Sequence, residues 1–192
     1  LIIPIGEWVL ERACLDVKSW NDLFGLDLRV AVNLSPIQLA LPNIIETIEN
    51  TLRNTNVNPS FVEIEITEMS MVDFNESLVD KLAQIRAMGI TISIDDFGTG
   101  YSSLSYLKNL PVDALKVDRS FVMEIGLSET GSNMVGAIIS LAHAMNLEVV
   151  AEGVEREEEL AYLRECGCEF AQGYYFSKPL PANEFFKYVM NR

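Results

Sequence analysis

Seven polar residues stand late in six short apolar runs of this sequence: Asn33, Glu65, Asp95, Asp96, Lys116, Glu152 and Gln172. Alternate side chains of a strand face opposite ways. In Ile64-Glu65-Ile66 the glutamate therefore opposes both isoleucines, and Asp95 opposes Ile92 and Ile94. Lys116 opposes Leu115 and Val117, and Asn33 opposes Val30 and Val32. Glu152 and Gln172 end the last two runs. Burying one such group unpaired is costly or shifts its pKa. The same pattern at six strand ends reads as a site rather than as packing. Asn33, Glu65, Asp95 and Asp96 are hard oxygen donors, and clustered carboxylates repel unless protonated or holding cations. With no Cys or His among them, the set favours Mg²⁺ or Mn²⁺ over Zn²⁺. Adjacent aspartates could bridge two ions, as in two-metal phosphoester hydrolysis. Lys116 would then hold the attacking water or offset charge on the phosphorane. The pattern supports a metal-dependent hydrolase, lyase or isomerase and does not choose among them.

These groups need a scaffold. Six β-branched runs, at 28–35, 62–68, 91–97, 114–118, 148–153 and 170–176, alternate with helical stretches, and their apolar density suits buried parallel strands. Leu78, Leu82, Ile85 and Met88 share a helical stripe that Gly89 ends. Met134, Ile138, Leu141 and Met145 repeat the spacing. Pro36 after Ser35 reads as a short helix start. An opening helix over 5–24 carries Val9, Ala13, Val17, Trp20 and Phe24 on one stripe, with no strand before it. Strand–helix alternation gives an α/β class with a parallel sheet. Polar residues at the C-terminal ends of many strands favour a (βα)-barrel over an open doubly wound sheet. Six units plus one helix fall two strands short of a barrel of ~250 residues.

The chain has 192 residues, 49% of them hydrophobic, which suits one domain with a sizeable core. A formal net charge of −14 argues against a long nucleic acid and against an anionic membrane surface. No apolar run is long enough to span a bilayer. Cys14, Cys166 and Cys168 read as structural thiols in a reducing, cytoplasmic compartment. Trp8 and Trp20 are expected in the core or an interface, and His143 in the core or partly exposed. The acidic run at 155–159 is expected to be a solvated helix start, where the dipole favours acids. Glu63 shares the face of Glu65, with no role assigned.

Longer phrases carry a resemblance. They are Val32-Asn33-Leu34-Ser35, Glu65-Ile66-Thr67-Glu68, the stretch from Asp95-Asp96-Phe97-Gly98-Thr99-Gly100 to Leu104, Leu115-Lys116-Val117-Asp118-Arg119-Ser120-Phe121, Ala151-Glu152-Gly153-Val154-Glu155, and the stretch from Gln172-Gly173-Tyr174 to Lys178-Pro179-Leu180. In this order the chain resembles the EAL domain of bacterial cyclic di-GMP phosphodiesterases over its whole length, 1–192. The resemblance implies a (βα)8 TIM-barrel-like fold that opens cyclic di-GMP to linear pGpG with two Mg²⁺ or Mn²⁺ ions. It implies Asn33, Glu65 and Asp95 as metal ligands, Asp96 as a ligand of the second ion, and Lys116 as the catalytic lysine. Glu152 would complete the metal and water environment, with Gln172 at the site. Glu68 would hold the loop over 97–107, which includes Gly98, Thr99 and Gly100 and leads to a homodimer interface. Gly98 and Gly100 would supply the positive-φ turns of a mobile lid.

The Glu-Ala-Leu triplet that names the family, with its metal-binding glutamate and a following arginine, is absent from these residues. The sequence is accordingly read as a fragment that lacks the first strands, rather than as a natural degenerate form, with impaired activity and exposed sheet edges that invite dimerisation or strand exchange. The parent would be a signalling protein, membrane-tethered or not, with fused sensor or GGDEF-type domains. This segment itself would not enter the membrane. The alternatives are a non-catalytic cyclic di-GMP receptor or protein-interaction module, and, well behind, an unrelated metal-dependent barrel enzyme.

Overall fold

The computed structural model describes residues 1–68, 76–98 and 107–190. The strands run in chain order, β1-β2-β3-β4-β5-β6, and the chain divides into two compact units, 1–94 with 100–112 and 95–99 with 113–192.

The first unit opens with α1 (Ile2–Phe24), which ends where Gly25 turns left-handed at φ 62°. Next come β1 (Val30–Asn33), α2 (Pro36–Ala40), α3 (Ile44–Thr55), a 3₁₀ turn (Pro59–Phe61), β2 (Val62–Thr67), α4 (Glu76–Ala87) and the first residues of β3 (Thr91–Phe97). All three expected strands are present, β3 with the expected bounds. The Asn21 side chain sets the approach to β1, bonding both the N–H and the C=O of Leu28 at 2.9 Å. Ser35 caps α2, and the Gln38 side chain closes the capping box. α4 buries Leu78, Leu82 and Ile85, and the chain leaves it through Gly89 at φ 93°.

The α1 stripe needs correction. The buried row is Leu10, Cys14, Val17 and Asn21. Val9 is exposed and Trp8 is 64% exposed, while Trp20 is half-buried. The helix is turned by about one residue from the expected stripe, because Asn21 takes a buried place through its two bonds to Leu28. Burial also pushes the Cys14 thiol up to about 11, against a bond to Thr55 that lowers it.

The second unit holds the end of β3, then β4 (Ala114–Val117), α5 (Arg119–Val122), α6 (Glu129–Ala144), β5 (Glu148–Ala151), α7 (Glu157–Glu165), β6 (Phe170–Ala171) and α8 (Ala182–Met190). β4 and β5 pair in parallel, as do β5 and β6. α6 buries Val135, Ile138, Ile139 and Ala142, so its apolar face lies one residue on from the expected Met134 row, and Met134 is exposed. β6 is two residues long against seven expected. Beyond Gln172 the backbone turns at Gly173 and closes through Phe176 N–H on the Gly173 carbonyl at 3.1 Å. His143 is partly exposed, with Nε2 3.0 Å from Glu169 Oε1.

The expected solvated acidic face fails at one residue. Glu155, Glu157 and Glu158 are exposed, but Glu159 is buried. Its carboxylate accepts the N–H groups of Glu155 and Arg156 at 2.8 and 2.9 Å and Arg156 Nε at 2.8 Å. Burial alone would raise its pKa, and these donors outweigh burial to hold it below the usual carboxylate range. Arg156 also donates to the carbonyls of Met123 and Ile125 at 3.1 and 2.8 Å, tying the α7 start to the end of α5. A depressed carboxyl contributes stability above its unfolded pKa, and the contribution is lost as pH falls through the folded value. Glu159→Gln should therefore cost about 2 kcal/mol at neutral pH, or roughly 4–8 °C in Tm for a chain of this size. Melting curves should show the gap to wild type closing as pH falls through the carboxylate range. A gap that is absent at neutral pH or unchanged in acid would refute this role.

Among the described residues, no helix is long and apolar enough to cross a membrane.

Candidate functional site

In the first unit, β1 and β2 run parallel with Asn33 opposite Glu65. The Leu34 N–H bonds the Glu65 carbonyl at 2.8 Å, which continues the ladder past the strand end. Asn33 Nδ2 donates to Glu65 Oε2 at 3.0 Å, and Glu65 is buried. Two expected ligands are thus side by side on neighbouring strands. Glu68, just after β2, is 4% exposed. Glu63 lies 3.5 Å from Arg29 Nη1, which gives the unassigned glutamate a cationic partner. Ser93, two residues before Asp95 in β3, is fully buried, and its Oγ finds no hydrogen-bond partner among the described residues.

The second unit brings together Asp95, Lys116, Glu152 and Gln172. β4 carries Lys116 with 4% exposure. Its Nζ sits 2.5 Å from Glu152 Oε1 and 3.4 Å from Asp95 Oδ1. Gln172 Nε2 donates to the same Glu152 oxygen at 2.7 Å. Glu152 and Gln172 stand one residue past β5 and β6, where the ladder still fixes them. The Glu152 N–H bonds the Val117 carbonyl at 3.1 Å, and the Gln172 N–H bonds the Ala151 carbonyl at 2.8 Å. A buried ammonium needs close carboxylates to offset its desolvation, and among the described residues Asp95 and Glu152 supply them.

Asp96 follows directly in β3. It adopts a left-handed φ of 56° and is exposed, with its N–H on Asp95 Oδ1 at 3.0 Å. Partial desolvation first, then repulsion from Asp95 and Asp118, push its carboxyl up, against a lowering pull from Lys116. A non-glycine residue at positive φ next to charged neighbours is a sign of local constraint. Gly98 follows at φ 98°, and an added Cβ would lie 2.7 Å from the Phe121 ring, so both backbone and space demand glycine there. Thr99 and Gly100, with most of the loop over 97–107, lie outside the described residues.

Beside Glu152 and Gln172 opens a cleft of about 450 Å³, also lined by Arg119, Tyr174, Lys178 and Tyr188. The Lys178 ammonium lies 5.7 Å over the Tyr174 ring. The expected site residues did not include this rim. Its sequence signal was the glycine directly after each site residue, Gly153 after Glu152 and Gly173 after Gln172, both with φ above zero.

For divalent cations the donor types fit: every candidate ligand offers oxygen. Among the described residues no group of three or more His, Cys, Asp or Glu side chains is placed to hold a metal ion. In the second unit the Lys116 ammonium is the cation between the carboxylates of Asp95 and Glu152.

The family model of the EAL domain matches residues 1–179. The chain belongs to the EAL domain family. It is 44% identical over 181 residues to the cyclic di-GMP phosphodiesterase NbdA of Pseudomonas aeruginosa, covering 94% of this chain and 23% of that protein. It superposes on the structure of the PaMucR phosphodiesterase in complex with c-di-GMP with a TM-score of 0.91 and 41% identity, covering 96% of this chain and 74% of that one. A manganese and c-di-GMP complex of Klebsiella pneumoniae BlrP1 matches with a TM-score of 0.75 and 31% identity, covering 86% and 42%. The chain spans about a quarter of the length of the curated relatives that it matches. The α/β, TIM-barrel-like class expected from the strand pattern is the class of these structures.

Proposed function

We propose that this chain is an EAL-type domain over 1–192 that hydrolyses cyclic di-GMP to linear pGpG with two divalent cations. The observation that carries the reading is the Asp95–Lys116–Glu152–Gln172 cluster beside a nucleotide-sized cleft, in a family whose relatives are named as cyclic di-GMP phosphodiesterases. Asn33, Glu65, Asp95 and Asp96 would hold Mg²⁺ or Mn²⁺. The bound ions would supply Lewis acidity toward the phosphoryl oxygens and charge neutralisation.

The chain's own groups do the rest. A water oxygen attacks phosphorus, one P–O3′ bond of the ring breaks, and the products are a 5′-phosphate and a 3′-hydroxyl. Lys116 and Glu152, 2.5 Å apart, form the pair that positions the water and takes up its proton. Gln172 fixes the Glu152 carboxylate. The proton that the pair takes from the water passes on to the leaving 3′-oxygen, which departs as the hydroxyl. The cleft with Tyr174 and Lys178 would accept part of the nucleotide, since an aromatic face and a cation suit a base and a phosphate.

The 192 residues contain no Glu-Ala-Leu triplet, so the chain by itself should turn over more slowly than a domain that carries that ligand. Homodimerisation, fused sensor or GGDEF-type domains and a cytoplasmic setting belong to this reading. A c-di-GMP receptor is the second reading. It is favoured by the want of a three-carboxylate group among the described residues.

The test is conversion of cyclic di-GMP by the chain with Mn²⁺, followed by chromatography, beside calorimetric binding. Formation of pGpG supports the enzyme, and binding without turnover supports the receptor. The absence of both turnover and binding would overturn both readings. Glu68→Ala should lower turnover by about tenfold with no ligand deleted, because it would loosen the loop over 97–107. Normal turnover in a folded variant would refute that role.

A further inference from the structure

Arg119 stands at the start of α5, three residues after Lys116, and it is not among the residues assigned above to the chemistry. Its side chain lies across Gly153. A Cβ added to Gly153 would sit 2.3 Å from Arg119 Cγ, 2.7 Å from Cβ and 2.8 Å from Cδ. Gly153 takes φ 72° and follows Glu152 directly. Beyond this crossing, Arg119 Nη2 reaches Glu155 Oε1 at 2.7 Å. The stem thus covers the glycine while the head holds the glutamate two residues further on. The turn that carries the Glu152 carboxylate is held at both points by one side chain.

The same turn is held from its other side. Val154 N–H bonds the Gln172 carbonyl at 3.0 Å, and Tyr175 N–H bonds the Val154 carbonyl at 2.9 Å. The Arg119 end is itself fixed, because Asp118 caps α5 through the Ser120 N–H at 3.0 Å. A strut therefore runs from just after the strand of Lys116 to the turn that follows Glu152, whose carboxylate lies 2.5 Å from the Lys116 ammonium.

We propose that Arg119 is a positioning residue. It sets the Glu152 carboxylate against Lys116 by clamping the Gly153 turn, with Glu155 as its anchor. Stability is a poor explanation for the pair. The two side chains are 50% and 40% exposed, and ion pairs so exposed add little to folding. Position is the sensitive quantity, since displacement of a reacting group by about 1 Å can cost up to a hundredfold in rate.

The proposal rests on the phosphodiesterase reading for its kinetic arm and not for its structural arm. In the structural arm, Arg119→Ala, Arg119→Lys and Glu155→Ala are compared with wild type by amide NMR and thermal melting. Arg119→Ala should shift the resonances of Glu152, Gly153 and Gln172 with Tm nearly unchanged. Arg119→Lys should shift them much less, because a lysine stem still covers Gly153 and its ammonium still reaches toward Glu155. In the kinetic arm with Mn²⁺ and cyclic di-GMP, Arg119→Ala should lower kcat about tenfold with KM within about twofold. Arg119→Lys should recover most of it. Combining Arg119→Ala with Glu155→Ala should cost little more than Arg119→Ala alone. A wild-type chain that does not turn over would sink the enzyme reading and leave the structural arm to decide. Unperturbed Glu152 and Gln172 resonances in Arg119→Ala would overturn the proposal. So would an Arg119→Lys variant as poor as Arg119→Ala in either arm.

Discussion

In an EAL domain that also carries the Glu-Ala-Leu segment, Asp95→Asn should abolish metal-dependent turnover while the protein stays folded. The substitution keeps the shape and removes the charge. An anionic ligand contributes several kcal/mol of charge stabilisation through its cation, and a loss of about 4 kcal/mol is about a thousandfold in rate. Stability should move far less. Asp95 is the more distant partner of Lys116, at 3.4 Å, and the ammonium keeps Glu152 at 2.5 Å. The measurement is pGpG formation over a Mn²⁺ titration, with Tm followed in parallel. Retained turnover at every Mn²⁺ concentration would sink the ligand assignment. Lost turnover with a collapsed Tm would show a folding defect, which also contradicts the expectation.

Much of the arrangement was legible because strand parity is a simple code. Once β1 and β2 are parallel neighbours, Asn33 and Glu65 must stand on the same face, and the structure pairs them at 3.0 Å. Lys116 between Leu115 and Val117 was equally readable. Helix faces were harder. In α1 and α6 the expected stripes missed by about one residue, since a helical stripe about 100° wide tolerates such a rotation and polar anchors decide it. Asn21 in α1 is such an anchor. Glu159 was unreadable for another reason. A run of acids signals a solvated face, and only the tertiary fold shows that one of them receives two amides and a guanidinium. The strut from Arg119 over Gly153 was invisible because contact between residues 34 apart leaves no local pattern. Only the glycine hinted at it. The positive φ of Asp96 is likewise set by the chain around it, at a residue type that tolerates the left-handed region.

Lys116→Met should separate the two duties of the lysine. The methionine fills a similar volume and removes the ammonium. Asp95 and Glu152 then face each other without their cation, and breaking a buried pair costs about 3–5 kcal/mol. Glu152 keeps the Gln172 amide at 2.7 Å and Asp95 keeps the Asp96 N–H at 3.0 Å, so the lower end applies. A loss of about 3 kcal/mol lowers Tm by roughly 6–12 °C for a chain this size. Two carboxylates released from an ammonium also become better partners for a divalent ion. Mn²⁺ should therefore raise the Tm of Lys116→Met by more than it raises that of wild type, with no recovery of turnover. The comparison needs four melting curves, each protein with and without Mn²⁺, beside the hydrolysis assay. An equal Mn²⁺ shift in both proteins would mean that these carboxylates do not hold the ion, which contradicts the assignment of Asp95. Turnover that persists in the variant would remove Lys116 from the chemistry and leave it as the counter-ion of a buried carboxylate pair.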